Sequence, residues 1–119
     1  MTFRVETVFD LTTTCPDGHN SPNHPVDLDR HTWTCRTCRQ SVFIDMDDQK
    51  GQAYTVERVP AREIQVGDVI VYRTHAGLEA NRVTGSNPYQ GKTGGWYLAV
   101  ANHGKAIVPP EQSISRLPG

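Results

Sequence analysis

Cys15-Pro16-Asp17-Gly18-His19 is followed, after fifteen intervening residues, by Cys35-Arg36-Thr37-Cys38. These are four soft or borderline donors in two close pairs, C-x3-H and C-x2-C. A tight turn can aim two such side chains at one point about 2.0–2.3 Å away, which is what a tetrahedral zinc ion requires. Asp17-Gly18 supplies turn chemistry within the first pair, because glycine takes the positive φ that a sharp reversal needs. The fourth ligand is read as His19, which completes a pair with Cys15; His31 and His24 are the alternatives. Three thiolates more than neutralise a divalent ion, and four protein ligands leave no place for water. The expected zinc is therefore structural and not catalytic.

Other residues offer recognition chemistry. Arg36 and Arg39 flank the second pair. Tyr72, Tyr89, Trp96 and Tyr97 lie near Arg73, Arg82 and Lys92 in sequence, a mixture that can stack bases or grip a peptide segment. Trp96 and Tyr97 are adjacent on a predicted strand, so they point to opposite sides and at least one faces away from the interior. The candidate binding residues are Arg36, Arg39, Arg73, Arg82, Tyr89, Lys92 and Tyr97. Gly91-Lys92-Thr93-Gly94-Gly95 lacks the spacing of a phosphate loop and precedes a strand instead of a helix. His75 and His103 fall in predicted turns. No Ser/His/Asp set or carboxylate pair emerges from spacing, so no enzymatic activity is expected.

The elements that must position these residues are strands. There are 29 Val, Ile and Thr residues against 15 Leu, Met, Lys and Glu, a balance that favours pleated surface over helix. Only 25 of 119 residues are Leu, Ile, Val or Phe, so a metal is expected to stand in for part of the core. Alternation predicts a first strand over Phe3–Leu11, with Thr12-Thr13-Thr14 leading to Cys15. Cys15 to Arg30 has three prolines and reads as loop. Strands return at 32–34 and 41–46, and Asp47–Gly51 is a turn or linker. In the second half, Ala53–Val59, Val69–Tyr72, Glu79–Thr84, Trp96–Ala101, Ala106–Val108 and Ile114–Leu117 read as strands. Ala61–Ile64 is one helical turn, and Gly85–Gly95 is a long exposed loop.

Composition changes at Gly51. Residues 1–50 carry net charge −3 and all three cysteines, while residues 51–119 carry +2. The predicted domains are accordingly 1–50 and 51–119. No apolar run is long enough to span a membrane, and the N-terminus lacks the apolar stretch of a signal peptide. Three cysteines make a poor disulfide framework, so a cytoplasmic location is expected. A net charge of −1 argues against strong sequence-independent nucleic-acid binding.

The two spaced pairs, set among strands over residues 3–46, resemble the zinc-ribbon family, with His19 where a cysteine usually sits. Residues 62–117 place a strand after a Gly-Asp turn, then a long loop, a Trp-led hairpin and a last short strand. That order resembles SH3-like barrels. The resemblances imply a mainly β chain with an N-terminal zinc ribbon and a C-terminal SH3-like small β-barrel. They imply a non-enzymatic, regulatory module that associates with nucleic acid or a transcription-related protein. The alternative is a protein–protein adaptor or inhibitor with no nucleic-acid contact.

Overall fold

The run Val69-Ile70-Val71-Tyr72 shows how this chain builds its sheet. Alternate side chains of a strand face opposite ways. Ile70 and Tyr72 enter one core and Val71 enters a second, so both faces of this strand are covered and the run is apolar throughout. A computed structural model describes residues 3, 5, 7–15, 28–29, 32–36, 38–91 and 94–118. Its strands are β1 (Asp10–Thr14), β2 (Leu28–Asp29), β3 (Thr34–Cys35), β4 (Phe43–Asp47) and β5 (Ala53–Pro60), followed by β6 (Val69–Thr74), β7 (Gly77–Pro88), β8 (Trp96–Val100), β9 (Gly104–Val108) and β10 (Ser113–Arg116). The protein is mainly β. Eight strands form one antiparallel sheet in the order β1-β4-β5-β10-β6-β7-β8-β9, and β2 pairs with β3 in a small separate ribbon. No helix among the described residues is long and apolar enough to cross a membrane.

The first core takes Val59, Ile70, Tyr72, Val83, Leu98, Val100, Val108 and Ile114 from β5 to β10, together with Phe3, Ala61 and Ile64. One cluster can collect residues from all six strands only if that part of the sheet curls around it. The second core holds Cys15, Trp33, Cys35, Val42, Ile44 and Met46, with Val56, Val71 and Leu78 from β5, β6 and β7. The aliphatic shortage of the first fifty residues is thus met partly by side chains from beyond Gly51. Gly51 itself lies in the short β4–β5 connection, and Met46 and Asp47 pair directly with Tyr54 and Ala53.

Two sequence expectations need correction. The first strand is Asp10–Thr14, and Thr7–Phe9 is a short 3-10 turn. The threonines take the strand because they pair with Phe43–Asp45 of β4, where β-branched side chains suit a solvated sheet edge. Leu11 does lie on the strand but is 61% exposed, and Val8, in the turn, is 68% exposed. The second correction concerns Gly85–Pro88, which belongs to β7 and pairs with Trp96–Ala99. A bulge between Val83 and Gly85 shifts the register there, which breaks the alternation that marks a strand in sequence. The 3-10 turn Ala61–Glu63 and the β8–β9 hairpin lie where expected.

Polar groups tie the hairpins down. Asp45 accepts hydrogen bonds from Thr55 Oγ1 (2.6 Å) and Thr12 Oγ1 (2.7 Å). Asp48 accepts the backbone N–H groups of Leu78 (2.9 Å), Lys50 (2.8 Å) and Gln52 (3.1 Å), clamping the β4–β5 turn to the start of β7. Hydrogen bonding to the charged form holds both carboxyls below their ordinary value. For Asp45 the leading donor is Thr55, and for Asp48 it is the Leu78 amide. The unfolded chain then binds more protons than the folded one below about pH 4, so this stabilisation is present above that range and is lost as pH falls through it. Asp48→Asn should be less stable than wild type at neutral pH. The gap in urea midpoint should narrow on acidification from about pH 5 to pH 2; a gap that stays constant would remove Asp48 from the acid transition.

Gly77, at φ +120°, packs directly under this clamp, and a Cβ there would collide with the Asp48 carboxylate. Gly67 has a similar φ of +100° and open space around it. Both alanine variants should lose roughly 1–3 kcal/mol through backbone strain. Gly77→Ala should lose more, because it also pushes Asp48 off the Leu78 amide. Equal losses in chemical denaturation would show that the collision relaxes freely.

Candidate metal centre

The cysteines are brought together by the ends of three elements. Cys15 directly follows β1, Cys35 ends β3, and Cys38 sits in the turn that leads towards β4. Backbone bonds close that turn from both sides. The Cys35 N–H donates to the Gln40 carbonyl (2.8 Å), and the Arg39 N–H donates to the Cys35 carbonyl (2.7 Å). Arg39 takes a left-handed φ of +63°, which lets the chain reverse within four residues. Below the turn, Trp33 is buried against the same core and its carbonyl accepts the Val42 N–H (3.1 Å).

The three Sγ atoms lie within 4.8 Å of one another, and Cys15 and Cys38 are 3.5 Å apart. A tetrahedral ion with metal–sulfur bonds of about 2.3 Å separates its sulfurs by about 3.8 Å, so the spacing suits a shared cation. None of the three cysteines is in a disulfide. Cys15 and Cys35 are buried, and Cys38 is partly exposed. For the Cys38 thiol the Gln40 backbone hydrogen bond favours ionisation. Burial and the neighbouring sulfurs of Cys15 and Cys35 outweigh it and push the pKa up to about 11. Three thiols crowded together resist joint ionisation unless a cation compensates them. The cysteine triad can therefore hold a metal ion, and it is the group so placed among the described residues. His19, His24 and His31, the candidates for the fourth ligand, lie outside the described residues.

The candidate binding residues fall in separate places. Arg36 and Arg39 are exposed on the cysteine turn. Arg73, on β6, has its guanidinium 5.7 Å from the centre of the Phe9 ring, and Arg82 is exposed on β7. Tyr89 and Tyr97 come together with Lys105, Ala106 and Ile107 around a shallow cavity of about 410 Å³. Lys92 lies outside the described residues. Of the other aromatics, Tyr72 is buried in the first core, where burial pushes its phenol pKa up and its oxygen accepts a hydrogen bond from Asn81 (2.8 Å). Trp96 packs against that core, and its Nε1–H donates to Ser86 Oγ (2.8 Å). Tyr97 is thus the outward member of the Trp96-Tyr97 pair. His75 and His103 are exposed in turns, and the His103 ring packs at a tilt against Tyr72 with centroids 4.6 Å apart.

Sequence reasoning missed two features. Ile107, 45% exposed, stands directly across from Tyr97 on the β8–β9 ladder, and period-two alternation from Lys105 could have placed it. The other is Arg58, which is 1% exposed and packs on Trp33 of the second core. Its guanidinium sits 4.3 Å from the centre of the Trp33 ring and donates to both carboxylate oxygens of Asp10 (2.7 and 2.8 Å) and to Ser115 Oγ (3.0 Å). A charged residue between Glu57 and Val59 on a half-buried strand gives no sequence signal for this depth. No family model matches the chain, and neither a curated protein nor a solved structure does.

Proposed function

We propose that this chain is a non-enzymatic, zinc-stapled binding module with a regulatory role, and that its partner is a protein of the transcription machinery. The observation that carries the metal half of this reading is the packing of three cysteine sulfurs within 4.8 Å of one another. Zinc is the ion proposed, held by Cys15, Cys35, Cys38 and His19, because a borderline ion suits three thiolates with one imidazole. A zinc saturated by four protein ligands activates no water, which supports a structural role. The likeness of residues 3–46 to zinc ribbons and of residues 62–117 to SH3-like barrels supports the regulatory setting. Tyr89, Tyr97 and Ile107 form the proposed contact face, on the side of the sheet where β9 is the terminal strand. Exposed aromatic and aliphatic groups with one lysine at the margin are the composition of a protein-binding surface.

Nucleic acid is the second reading, favoured by two tyrosines able to stack on bases and by the exposed Arg36 and Arg39. Metal analysis of the purified chain should give one zinc per molecule, with loss in Cys35→Ser; well under one defeats the metal half. Anisotropy titrations with single- and double-stranded oligonucleotides at low salt separate the partners. The protein reading expects no rise there, and a captured protein that survives nuclease and is lost with Tyr97→Ala. Binding of oligonucleotide that weakens steeply with salt reverses the choice.

A further inference from the structure

We propose that Cys15 and Cys38 form a peroxide-sensitive pair that closes into a disulfide and thereby ejects the metal, making the cysteine centre a reversible oxidation site. In its metal-releasing aspect this rests on the zinc reading above; the disulfide itself does not.

Both other sulfurs neighbour Cys38, and the pairing follows from access and from which of them can move. Cys38 is the partly exposed member of the triad, while Cys15 and Cys35 are 2% and 0% exposed. A small peroxide therefore reaches the Cys38 sulfur first. Cys15 Sγ waits 3.5 Å away, and a disulfide of about 2.05 Å needs a closing movement of about 1.5 Å. Cys38 lies in an exposed turn and Cys15 just past the end of an edge strand, so both backbones can supply that movement. Cys35 is held harder. It lies in β3 paired with Leu28, with its N–H bonded to the Gln40 carbonyl and its carbonyl bonded to the Arg39 N–H.

The chemistry balances in two steps. Cys38 first gives its proton to solvent, which its raised pKa makes the slow step and which alkaline pH speeds. The resulting thiolate attacks one peroxide oxygen, the O–O bond breaks, and the leaving oxygen takes a proton to depart as water (or as an alcohol from an organic peroxide). Cys38 is left as a sulfenic acid. The Cys15 sulfur then attacks the Cys38 sulfur, the S–O bond breaks, and hydroxide leaves as water with the proton from Cys15. Overall, two electrons pass from the two sulfurs to the peroxide. An ion that loses two of its thiolates keeps only Cys35 and the imidazole and is released. A dithiol reductant reverses the process by thiol–disulfide exchange.

The test uses the reduced full chain, zinc-loaded and metal-free in parallel, treated with equimolar hydrogen peroxide and then alkylated. Peptide mapping should show a Cys15–Cys38 linkage with Cys35 alkylated in both samples. A colorimetric chelator should register one zinc freed per disulfide formed, and dithiothreitol should restore uptake. Cys35→Ala retains the pair and should still cross-link. A Cys35–Cys38 linkage, an intermolecular disulfide, or Cys38 oxidised beyond sulfenic acid without linkage overturns the proposal. Linkage in a chain that takes up no zinc would sustain the oxidation site while defeating the metal reading.

Discussion

Asp10→Ala should destabilise the fold by about 3 kcal/mol, the lower part of the range for breaking a buried ion pair by removing one partner. Arg58 is fully enclosed, and Asp10 is the carboxylate facing it, 19% exposed and bonded through both oxygens. Among the described residues, the other guanidinium contacts are the Ser115 hydroxyl, the Met46 sulfur and the Trp33 ring, none of which carries a charge. Deleting the carboxylate therefore leaves a cation in a desolvated slot, whereas deleting both charges does not. Arg58→Met keeps much of the volume and should cost less than Asp10→Ala, and the double variant should be no worse than Arg58→Met alone. Urea unfolding of the four proteins closes the cycle. A loss below about 1 kcal/mol for Asp10→Ala would place this pair with ordinary surface salt bridges. The position explains the size of the effect. One guanidinium joins β1, β4, β5 and β10, so it fastens the edge of the sheet that delivers Cys15 to the strands that carry both cores.

That joint marks the limit of what was legible in the sequence. The apolar strands around Ile70, Leu98 and Val108 announce themselves, since their side chains meet one need, which is burial. The cysteine turn was legible for a similar reason, because C-x2-C spacing encodes its own local geometry. β1 was misplaced because Thr12–Thr14 form a strand through pairing with β4, thirty residues away, and not through an apolar pattern of their own. Gly85–Pro88 was misread because its extended form depends on the bulge and on β8, while its composition speaks for a loop. Arg58 was invisible because its partner is 48 positions distant and its neighbours in sequence, Glu57 and Val59, fit an ordinary half-exposed strand. Glu57 is itself spoken for, accepting the Arg116 Nε–H at 2.7 Å across the opposite face. Residues whose role is fixed by neighbours in sequence could be read; those fixed by neighbours in space could not.

On the proposal that the cysteine triad holds zinc, removing the metal should affect the two cores unequally, and the chain carries its own reporters of that difference. Its two tryptophans are divided between them: Trp33 lies buried beside the cysteines, and Trp96 packs against the first core. Structural zinc sites contribute about 10–16 kcal/mol of binding free energy, more than the whole stability of a typical domain. Without that contribution, the second core retains Val42, Ile44, Met46 and the residues lent by β5, β6 and β7, but it must accommodate three thiols facing one another. The first core contains no cysteine and keeps its pairing through β6, β7 and β8. Chelation, or Cys35→Ser, should therefore shift Trp33 emission to the red and expose β4 amides to rapid exchange, while Trp96 emission and β8 protection persist. Trp96→Phe and Trp33→Phe variants isolate the two signals. If both tryptophans respond together, the cores form one cooperative unit through the Arg58 joint. If neither responds in a chain shown to have lost its zinc, the ion is not what holds the second core, and its apolar residues with the Asp10–Arg58 pair suffice.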